Sequence, residues 1–238
     1  MPRCLIACEM SGRVRTAFAK RGWDAWSADL LDDESPMWCG TTIGFHYKGN
    51  VLDIIRENWD LVIAHPPCTD LSYAGNRYRA QKQADGRERE AAKFFMKLRA
   101  LPCPKSYVVV ENPVGVMSRL YREPDQVVQP WWFGDPLKKQ TCLWYRLAWG
   151  PSRPMLRDYV PDRLPFLVAD KVVEPTGRVT TGGGSWRTDK KNGLAGMNRN
   201  WEDSQGRARR HILRSITPEG FARAAAEQWG AYIEERRG

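Results

Sequence analysis

A cysteine that follows two prolines is the residue of this sequence best placed to do chemistry. Residues 62–64, VIA, form an apolar run that suits a buried parallel strand. Pro66 and Pro67 cannot continue such a strand, so Cys68 is predicted to lie on a stiff loop at its carboxyl end. A thiol held there can act as a nucleophile when a nearby cation or helix N-terminus lowers its pKa. A packed, unreactive cysteine is the alternative that this pattern leaves open.

Polar residues also follow two other apolar runs of the sequence. The run at residues 3–8 leads into a turn of acidic and small residues, and the run SYVVV at 106–110 leads into Glu111 and Asn112. Because the carboxyl ends of parallel strands meet at one rim of a sheet, both loops are predicted to lie beside the loop of Cys68. The sequence therefore predicts one site built from three loops.

The turn after the first run is a candidate binding site for an adenosyl cofactor. In doubly wound sheets such a cofactor lies over the first turn, here residues 9–12, and an acid at the end of the second strand binds the ribose hydroxyls. Asp29 is placed for that contact, and Asp53 could meet the adenine. The chain has no GxGxxG motif, so a smaller adenosyl cofactor is favoured over a dinucleotide.

Strands and helices alternate along the first half of the chain. Strands are predicted at 3–8, 23–29, 50–54, 60–65 and 106–110, and helices at 11–20 and 86–101. This alternation predicts an α/β fold with a doubly wound, mostly parallel sheet. Between about residues 150 and 210 the sequence lacks strong periodicity and is rich in proline and polar residues. An amphipathic helix at 218–235 is predicted to pack back on the sheet.

The composition of the chain indicates its cellular compartment and the chemical class of its partner. The 238 residues carry 37 Lys and Arg against 28 Asp and Glu, a net charge of +9, which favours a polyanionic partner. The six cysteines lie far apart, no signal peptide is visible, and no apolar stretch reaches the ~20 residues of a membrane span. We therefore expect a cytoplasmic protein with free thiols, no membrane contact and no bound metal. A monomer is the default expectation, because no extended apolar stripe is left over.

These motifs resemble those of the DNA (cytosine-5) methyltransferases. The family's Pro-Pro-Cys-Gln-x-Phe-Ser loop aligns without gaps on residues 66–72, and its Glu-Asn-Val motif aligns on 111–113. The short members carried by bacteriophages and prophages share the ENPVG segment and the stretch at 129–144. The resemblance extends from the N-terminus to about Trp144 and resumes in the C-terminal helix. It implies a Rossmann-like fold, S-adenosylmethionine as the cofactor and double-stranded DNA as the partner.

The resemblance also implies a mechanism. Cys68 would add to carbon 6 of a cytosine that has left the base stack, and Glu111 would donate or share a proton near ring nitrogen 3. Two alternatives stay open. The same chemistry could act on a pyrimidine nucleotide or another nucleic acid, or the chain could be a DNA-binding relative with impaired catalysis.

Two motifs of this chain depart from the family pattern. The family's Gln-x-Arg-x-Arg motif falls on Leu137, Lys139 and Thr141, so only Lys139 keeps a cation. The closing Gly-Asn-x-Val-Pro motif falls on residues 214–218, where Ser215 replaces the asparagine expected near the cofactor. Altered cofactor affinity is the expected consequence.

The resemblance, taken with the residue patterns, predicts three parts of the chain and three sets of site residues. The parts are a cofactor-binding and catalytic domain at 1–149, a small target-recognition segment at 150–210 and a C-terminal helix at 211–238. The predicted catalytic residues are Cys68, Glu111 and Lys139. The predicted cofactor-binding residues are Glu9, Met10, Ser11, Gly12, Asp29, Leu30, Asp53, Pro66 and Ser215. The predicted DNA-binding residues are Ser72, Arg77, Arg79, Lys82, Arg187, Lys190 and Lys191. For these cations, a solvated helix or loop is the competing interpretation.

Overall fold

The computed structural model describes residues 1–135, 138–146, 164–170 and 215–237. Its strands are β1 (Arg3–Ala7), β2 (Asp24–Asp29), β3 (Phe45–Lys48), β4 (Leu61–Ala64), β5 (Tyr107–Pro113), β6 (Gln126–Val128) and β7 (Thr141–Arg146). Its α-helices are α1 (Arg13–Lys20), α2 (Ser35–Cys39), α3 (Arg79–Ala84), α4 (Arg87–Ala100), α5 (Met117–Leu120) and α6 (Glu219–Arg237).

The seven strands form one sheet in the order β3-β2-β1-β4-β5-β7-β6. Strands β1 to β5 pair in parallel, whereas β7 runs antiparallel to both β5 and β6. The order reverses between β2 and β4, on either side of β1, which places the carboxyl ends of these strands at a crevice in the rim. The predicted α/β class with a mostly parallel, Rossmann-like sheet is confirmed.

Helices cover both faces of the sheet, as the doubly wound prediction requires. On one face, Phe18 of α1 and Trp229 of α6 are fully buried in one apolar cluster. On the other face, Phe95 and Leu98 of α4 are fully buried in a second cluster. Strand β4 is buried along its whole length between them. Each fully buried side chain of this size contributes roughly 1.5–3 kcal/mol, so the central strands are held from both sides.

Several elements differ from the sequence-based prediction. Residues 50–54 are not a strand: Val51–Asp53 is a 3-10 helix that begins where Asn50 Oδ1 accepts a hydrogen bond from Leu52 N at 3.1 Å. The third strand is instead β3, which precedes that segment. Strand β5 continues through Glu111 to Pro113, because these residues pair with β7. Strands β6 and β7 were not predicted, since β6 has only three residues and β7 does not alternate apolar and polar residues.

The helix predictions at 11–20, 86–101 and 218–235 match α1, α4 and α6 with shifts of one or two residues at their ends. Within the described residues, no helix combines the length and the apolar character that crossing a membrane requires. Most of the predicted target-recognition segment, 150–210, lies outside the described residues, so the three-part division stays a prediction.

Candidate active site

The loop that carries Cys68 turns sharply at the carboxyl end of β4. Pro66 is buried, and the half-buried Cys68 accepts hydrogen bonds at its carbonyl oxygen from Leu71 N at 3.1 Å and Ser72 N at 2.8 Å. Ser72 then forms an isolated bridge with Gly115. A Cβ at position 115 would stand 2.0 Å from the Leu71 carbonyl oxygen, so only glycine allows this close approach. The Cys68 loop is therefore anchored to the chain that follows β5.

Strand β5 supplies a second connection to this loop. The buried Asn112 donates from Nδ2 to the Pro66 carbonyl oxygen at 2.8 Å. Beside it, His65 Nδ1 lies 3.0 Å from Glu111 Oε2. Since β4 and β5 are neighbours in register, these contacts bring the predicted thiol and the predicted carboxyl group to one rim of the sheet.

The Glu111 carboxyl group is held in its ionised form. Burial disfavours the charge, but the hydrogen bond from His65 and the positive charge of Lys139 outweigh it and lower the pKa of Glu111 below its usual range. Because an ionised carboxylate only accepts hydrogen bonds, Nδ1 of His65 must carry the proton. At neutral pH, Glu111 is therefore a fixed hydrogen-bond acceptor.

A small cavity next to Glu111 brings three of the predicted site residues together. The side chains of Glu111 and Lys139 line it together with Ser215, which precedes α6. The other lining residues come from β6, β7 and the start of α6: Val128, Pro130, Thr141, Thr217, Pro218 and Phe221. The rim that bears the Glu111 carboxylate thus also presents a cation and a hydroxyl group.

In the first turn, residues 9–12, the carboxylate of Glu9 binds backbone groups of the protein itself. Glu9 is buried, and its carboxylate accepts hydrogen bonds from Val14 N at 2.9 Å and from Arg15 N at 3.5 Å. Met10 and Ser11 are buried as well. Since the first N–H groups of a helix have no partner within it, Glu9 satisfies the N-terminus of α1. The predicted role of residues 9–12 in cofactor binding stays a prediction.

A buried arginine that sequence reasoning missed joins the loops after β1 and β2. Arg15 is fully buried and donates to Ser27 Oγ at 2.7 Å, to Asp33 at 2.9 Å and to Ser35 Oγ at 2.7 Å. Gly12 lies against the same loop, where a Cβ would stand 2.5 Å from Ser35 Cβ. In the sequence, an arginine on a short helix is more typical of a solvated surface, and so it gave no signal.

Two carboxylates and an exposed apolar side chain lie on the rim at β2 and β3. Asp29 ends β2 and accepts a hydrogen bond from Leu31 N at 2.9 Å, while burial raises its pKa. The next residue, Leu30, is 73% exposed. The exposed Asp53 accepts a hydrogen bond from Tyr47 Oη at 3.1 Å. Strand β3 ends beside Asp29, so both carboxylates belong to the same edge of the sheet.

The predicted DNA-binding cations after Cys68 differ in exposure. Arg77 is exposed and places its guanidinium 4.5 Å from the ring centre of Tyr78. Arg79 Nε donates to Glu88 Oε2 at 3.0 Å. Lys82 is 6% exposed and donates to the Thr69 carbonyl oxygen, so it is placed to hold the Cys68 loop, and its contact with DNA stays a prediction.

The remaining predicted DNA-binding residues either act locally or are not described. Ser72 Oγ accepts a hydrogen bond from Ala74 N at 3.1 Å and so caps the 3-10 helix Tyr73–Tyr78. Arg187, Lys190 and Lys191 lie outside the described residues.

His65 is the residue of this site that sequence reasoning missed. A single histidine gives no signal by its type. Its position at the end of β4, directly before the two prolines, was the available clue.

No protein-family model matches the chain, and no curated protein matches it at a significant level. Among solved structures, a prophage-encoded protein of E. coli described as a DNA modification methyltransferase aligns over 61% of this chain and 46% of its own, with 13% identity and a TM-score of 0.41. The N-methyltransferase NodS of Bradyrhizobium japonicum aligns over 60% of this chain and 84% of its own, with 10% identity and a TM-score of 0.37. The glycopeptide N-methyltransferase MtfA, crystallised with S-adenosyl-L-methionine, aligns over 61% of this chain and 60% of its own, with 11% identity and a TM-score of 0.30. The chain spans less than half of the length of the prophage-encoded protein.

Proposed function

We propose that this protein transfers a methyl group from S-adenosylmethionine to carbon 5 of cytosine in double-stranded DNA through a covalent bond to Cys68. The observation that carries the proposal is the link between two loops at one rim of the sheet. Asn112 Nδ2 donates to the Pro66 carbonyl oxygen at 2.8 Å, and His65 Nδ1 lies 3.0 Å from Glu111 Oε2. A thiol on the loop after β4 and an ionised carboxylate on the neighbouring strand β5 are thereby held at one rim of the sheet.

The donor and acceptor groups at β2 and β3 fit an adenosyl group. The Asp29 carboxylate can accept hydrogen bonds from ribose hydroxyls, Asp53 can accept one from the adenine amino group, and the exposed Leu30 offers an apolar contact to the ring. The turn at 9–12 would contribute backbone groups, because the Glu9 carboxylate is used by α1. Ser215 lines the cavity on the Glu111 side and is the candidate contact for the methionine end. When bound, S-adenosylmethionine supplies an electrophilic methyl group.

The Cys68 thiolate makes carbon 5 of the base reactive. Its sulfur forms a bond to carbon 6, and the electron pair of the 5,6 double bond moves onto carbon 5, which becomes nucleophilic. Once carbon 5 has taken up the methyl group that S-adenosylmethionine supplies, with S-adenosylhomocysteine as the leaving group, loss of the carbon 5 proton to a base and elimination of the thiolate would restore the aromatic ring and the free enzyme.

The charged side chains of Glu111 and Lys139 are suited to assist the addition of the thiolate to the base. An ionised Glu111 can accept a hydrogen bond from the exocyclic amino group of cytosine, which distinguishes this base from thymine. As the base displaces water, the carboxylate can share a proton with ring nitrogen 3. Lys139 lies on the same cavity and favours the negative charge that addition puts on the ring.

The net charge of the chain supports a nucleic acid as the partner. The charge is +9, and the exposed Arg77 with Tyr78 follows the Cys68 loop directly. A cation and an aromatic ring at that place suit phosphate contact and stacking beside a displaced base.

Methyl transfer from labelled S-adenosylmethionine tests the proposal. The acceptors are duplex DNA, single-stranded DNA, RNA and dCMP. We expect label on duplex DNA with the wild-type protein and none with Cys68→Ala. Cys103→Ala is the matched control, because Cys103 is a half-buried free thiol on the loop between α4 and β5 and should keep activity.

Two outcomes would contradict the proposal. Transfer to dCMP alone would replace DNA by a nucleotide as the substrate, and no transfer to any acceptor would exclude the activity. DNA that contains 5-fluorocytosine gives an independent readout, because the fluorine blocks loss of the proton. It should trap the wild-type protein covalently and leave Cys68→Ala free.

A further inference from the structure

His65 is a partly buried residue that follows β4 and contacts the candidate carboxylate. Its backbone N donates to the Ala7 carbonyl oxygen at 2.9 Å, which fixes the residue against β1. Its side chain is 8% exposed, and Nδ1 lies 3.0 Å from Glu111 Oε2. Within the described part of the chain, Nε2 is buried without a hydrogen-bond partner. The imidazole therefore makes one directed hydrogen bond, and that bond goes to Glu111.

The titratable groups that interact electrostatically with Glu111 come from the end of β4 and from β7 with the residues before it. His65 follows β4, Lys139 precedes β7, and the buried Cys142 lies on β7 with its pKa raised to about 12 by burial and by the charge of Glu111. Cys142 is therefore protonated at neutral pH and carries no charge. The orientation and ionisation of Glu111 then depend on the hydrogen bond from His65 and on the charge of Lys139.

We propose that His65 is a positioning residue that holds Glu111 Oε2 through its Nδ1, so that Oε1 is presented to the cytosine amino group. This inference rests on the proposed function, because it assigns a role within that reaction. His65 acts through Glu111 and is assigned no contact with the base.

Substitution of His65 tests the role through kinetics. His65→Leu removes the donor and replaces the imidazole by an apolar side chain of similar size. We expect kcat to fall on the order of 10- to 100-fold, because a misplaced carboxylate no longer meets the base. The KM for S-adenosylmethionine should not change, since Asp29 ends β2, Leu30 follows it and Asp53 ends a 3-10 helix, so none of them belongs to β4 or β5. His65→Asn keeps a donor near the position of Nδ1 and should restore most of kcat.

The pH dependence separates positioning from a general loss of packing. Loss of the His65 hydrogen bond removes a group that lowers the pKa of Glu111, so the pKa should rise in His65→Leu. The Glu111-dependent limb of the kcat/KM profile should move to higher pH by the same amount and return with His65→Asn. Lower activity with an unmoved limb, or a higher KM at unchanged kcat, would overturn the proposal.

A second readout does not depend on activity. Carbon NMR of protein labelled at the glutamate carboxyl carbons gives the titration midpoint of Glu111, assigned by its absence in Glu111→Gln. The midpoint should be higher in His65→Leu than in wild type, whereas the midpoint of Glu234 should not move. Equal Glu111 midpoints in wild type, His65→Leu and His65→Asn would overturn the inference even if the wild-type protein methylates DNA. A wild-type protein without methyl transfer would contradict the proposed function instead. If His65→Leu does not fold, the comparison of wild type with His65→Asn decides, since an activity collapse with the amide donor present contradicts the role.

Discussion

The Cys68 loop is held by buried polar side chains on the side that faces α3. Lys82 Nζ donates to the Thr69 carbonyl oxygen and lies 3.4 Å from Asp70 Oδ1. Arg87 lies 3.7 Å from the same Asp70 oxygen. A lysine that is 6% exposed is retained only where partners compensate its desolvation. Lys82 therefore anchors the segment directly after the candidate nucleophile.

Substitution Lys82→Met should loosen this anchor. The change keeps the length of the side chain and removes its charge, which leaves the Thr69 carbonyl and Asp70 without their main partner. We expect the free energy of unfolding to fall by about 1–3 kcal/mol. Turnover should fall on the order of tenfold or more, because the loop no longer holds Cys68 in place. Chemical denaturation and single-turnover methyl transfer measure the two effects.

Lys93→Met is the matched control for this substitution. Lys93 lies on α4 with its side chain 59% exposed, and it pairs with Glu90 at 2.8 Å. Its loss should change stability by no more than about 0.5 kcal/mol. An equal effect of both substitutions would contradict the anchoring role of Lys82.

Among the secondary-structure elements, helix α6 covers one face of the sheet. Its apolar residues Phe221, Trp229 and Ile233 are buried in the same cluster as Phe18 of α1. Next to this contact, Arg21 donates to both oxygens of Glu234 at 2.8 and 2.6 Å, and Trp23 Nε1 donates to Glu234 Oε1 at 2.6 Å. One carboxylate thus joins the end of α6 to the segment between α1 and β2.

Substitution Glu234→Gln should weaken the docking of α6. We expect the free energy of unfolding to fall by about 1 kcal/mol at pH 7, because a bidentate arginine pair and an indole hydrogen bond are disturbed on a partly exposed surface. Hydrogen bonds from Arg21 and Trp23, against a smaller opposing effect of burial, lower the pKa of Glu234. The contribution of Glu234 to the free energy of unfolding is therefore complete at a pH above the ordinary glutamate pKa. It is lost as the pH falls through the lowered pKa of Glu234.

Equilibrium unfolding of wild type and Glu234→Gln across this pH range measures the difference. The gap between the two proteins should close under acidic conditions. The neighbouring, exposed Glu235→Gln serves as the control and should match the wild type. A gap that widens towards low pH would contradict the assigned ion pair.

The net charge of the whole molecule should control its affinity for a polyanion. A net charge of +9 attracts DNA phosphates at a distance, and binding releases condensed counterions. Of the described cations predicted to contact DNA after Cys68, Arg77 is the exposed one, whereas Arg79 and Lys82 are paired within the protein. The affinity for duplex DNA should therefore depend on many weak phosphate contacts.

Raising the salt concentration should weaken DNA binding steeply. Between roughly 50 and 200 mM salt we expect the affinity for a random duplex to fall by at least about tenfold, because phosphate contacts release counterions. Arg77→Ala should lower the slope of log affinity against log salt by about one contact. Fluorescence anisotropy of a labelled duplex measures both. An affinity independent of salt would contradict a phosphate-dominated interface.

The sequence by itself determined the fold class, most of the elements and the place of Cys68. These features depend on local chemistry: apolar runs form buried strands, and prolines end them, so Cys68 had to follow β4 on a loop. The positions of Glu111 and Asp29 at the same rim follow from the parallel order of the strands, whereas Asp53 ends a 3-10 helix and not the predicted third strand.

Only the tertiary structure decided which of these polar side chains contact each other. His65 and Glu111 are 46 residues apart, and Lys82 binds a carbonyl group 13 residues away, so no local pattern could indicate either pair. The burial of Glu9 and Arg15 and the insertion of β7 between β5 and β6 depend in the same way on distant neighbours. Local sequence restricts the backbone of each segment, whereas the free energy of a buried charge depends on partners that only the packed sheet and helices bring to it.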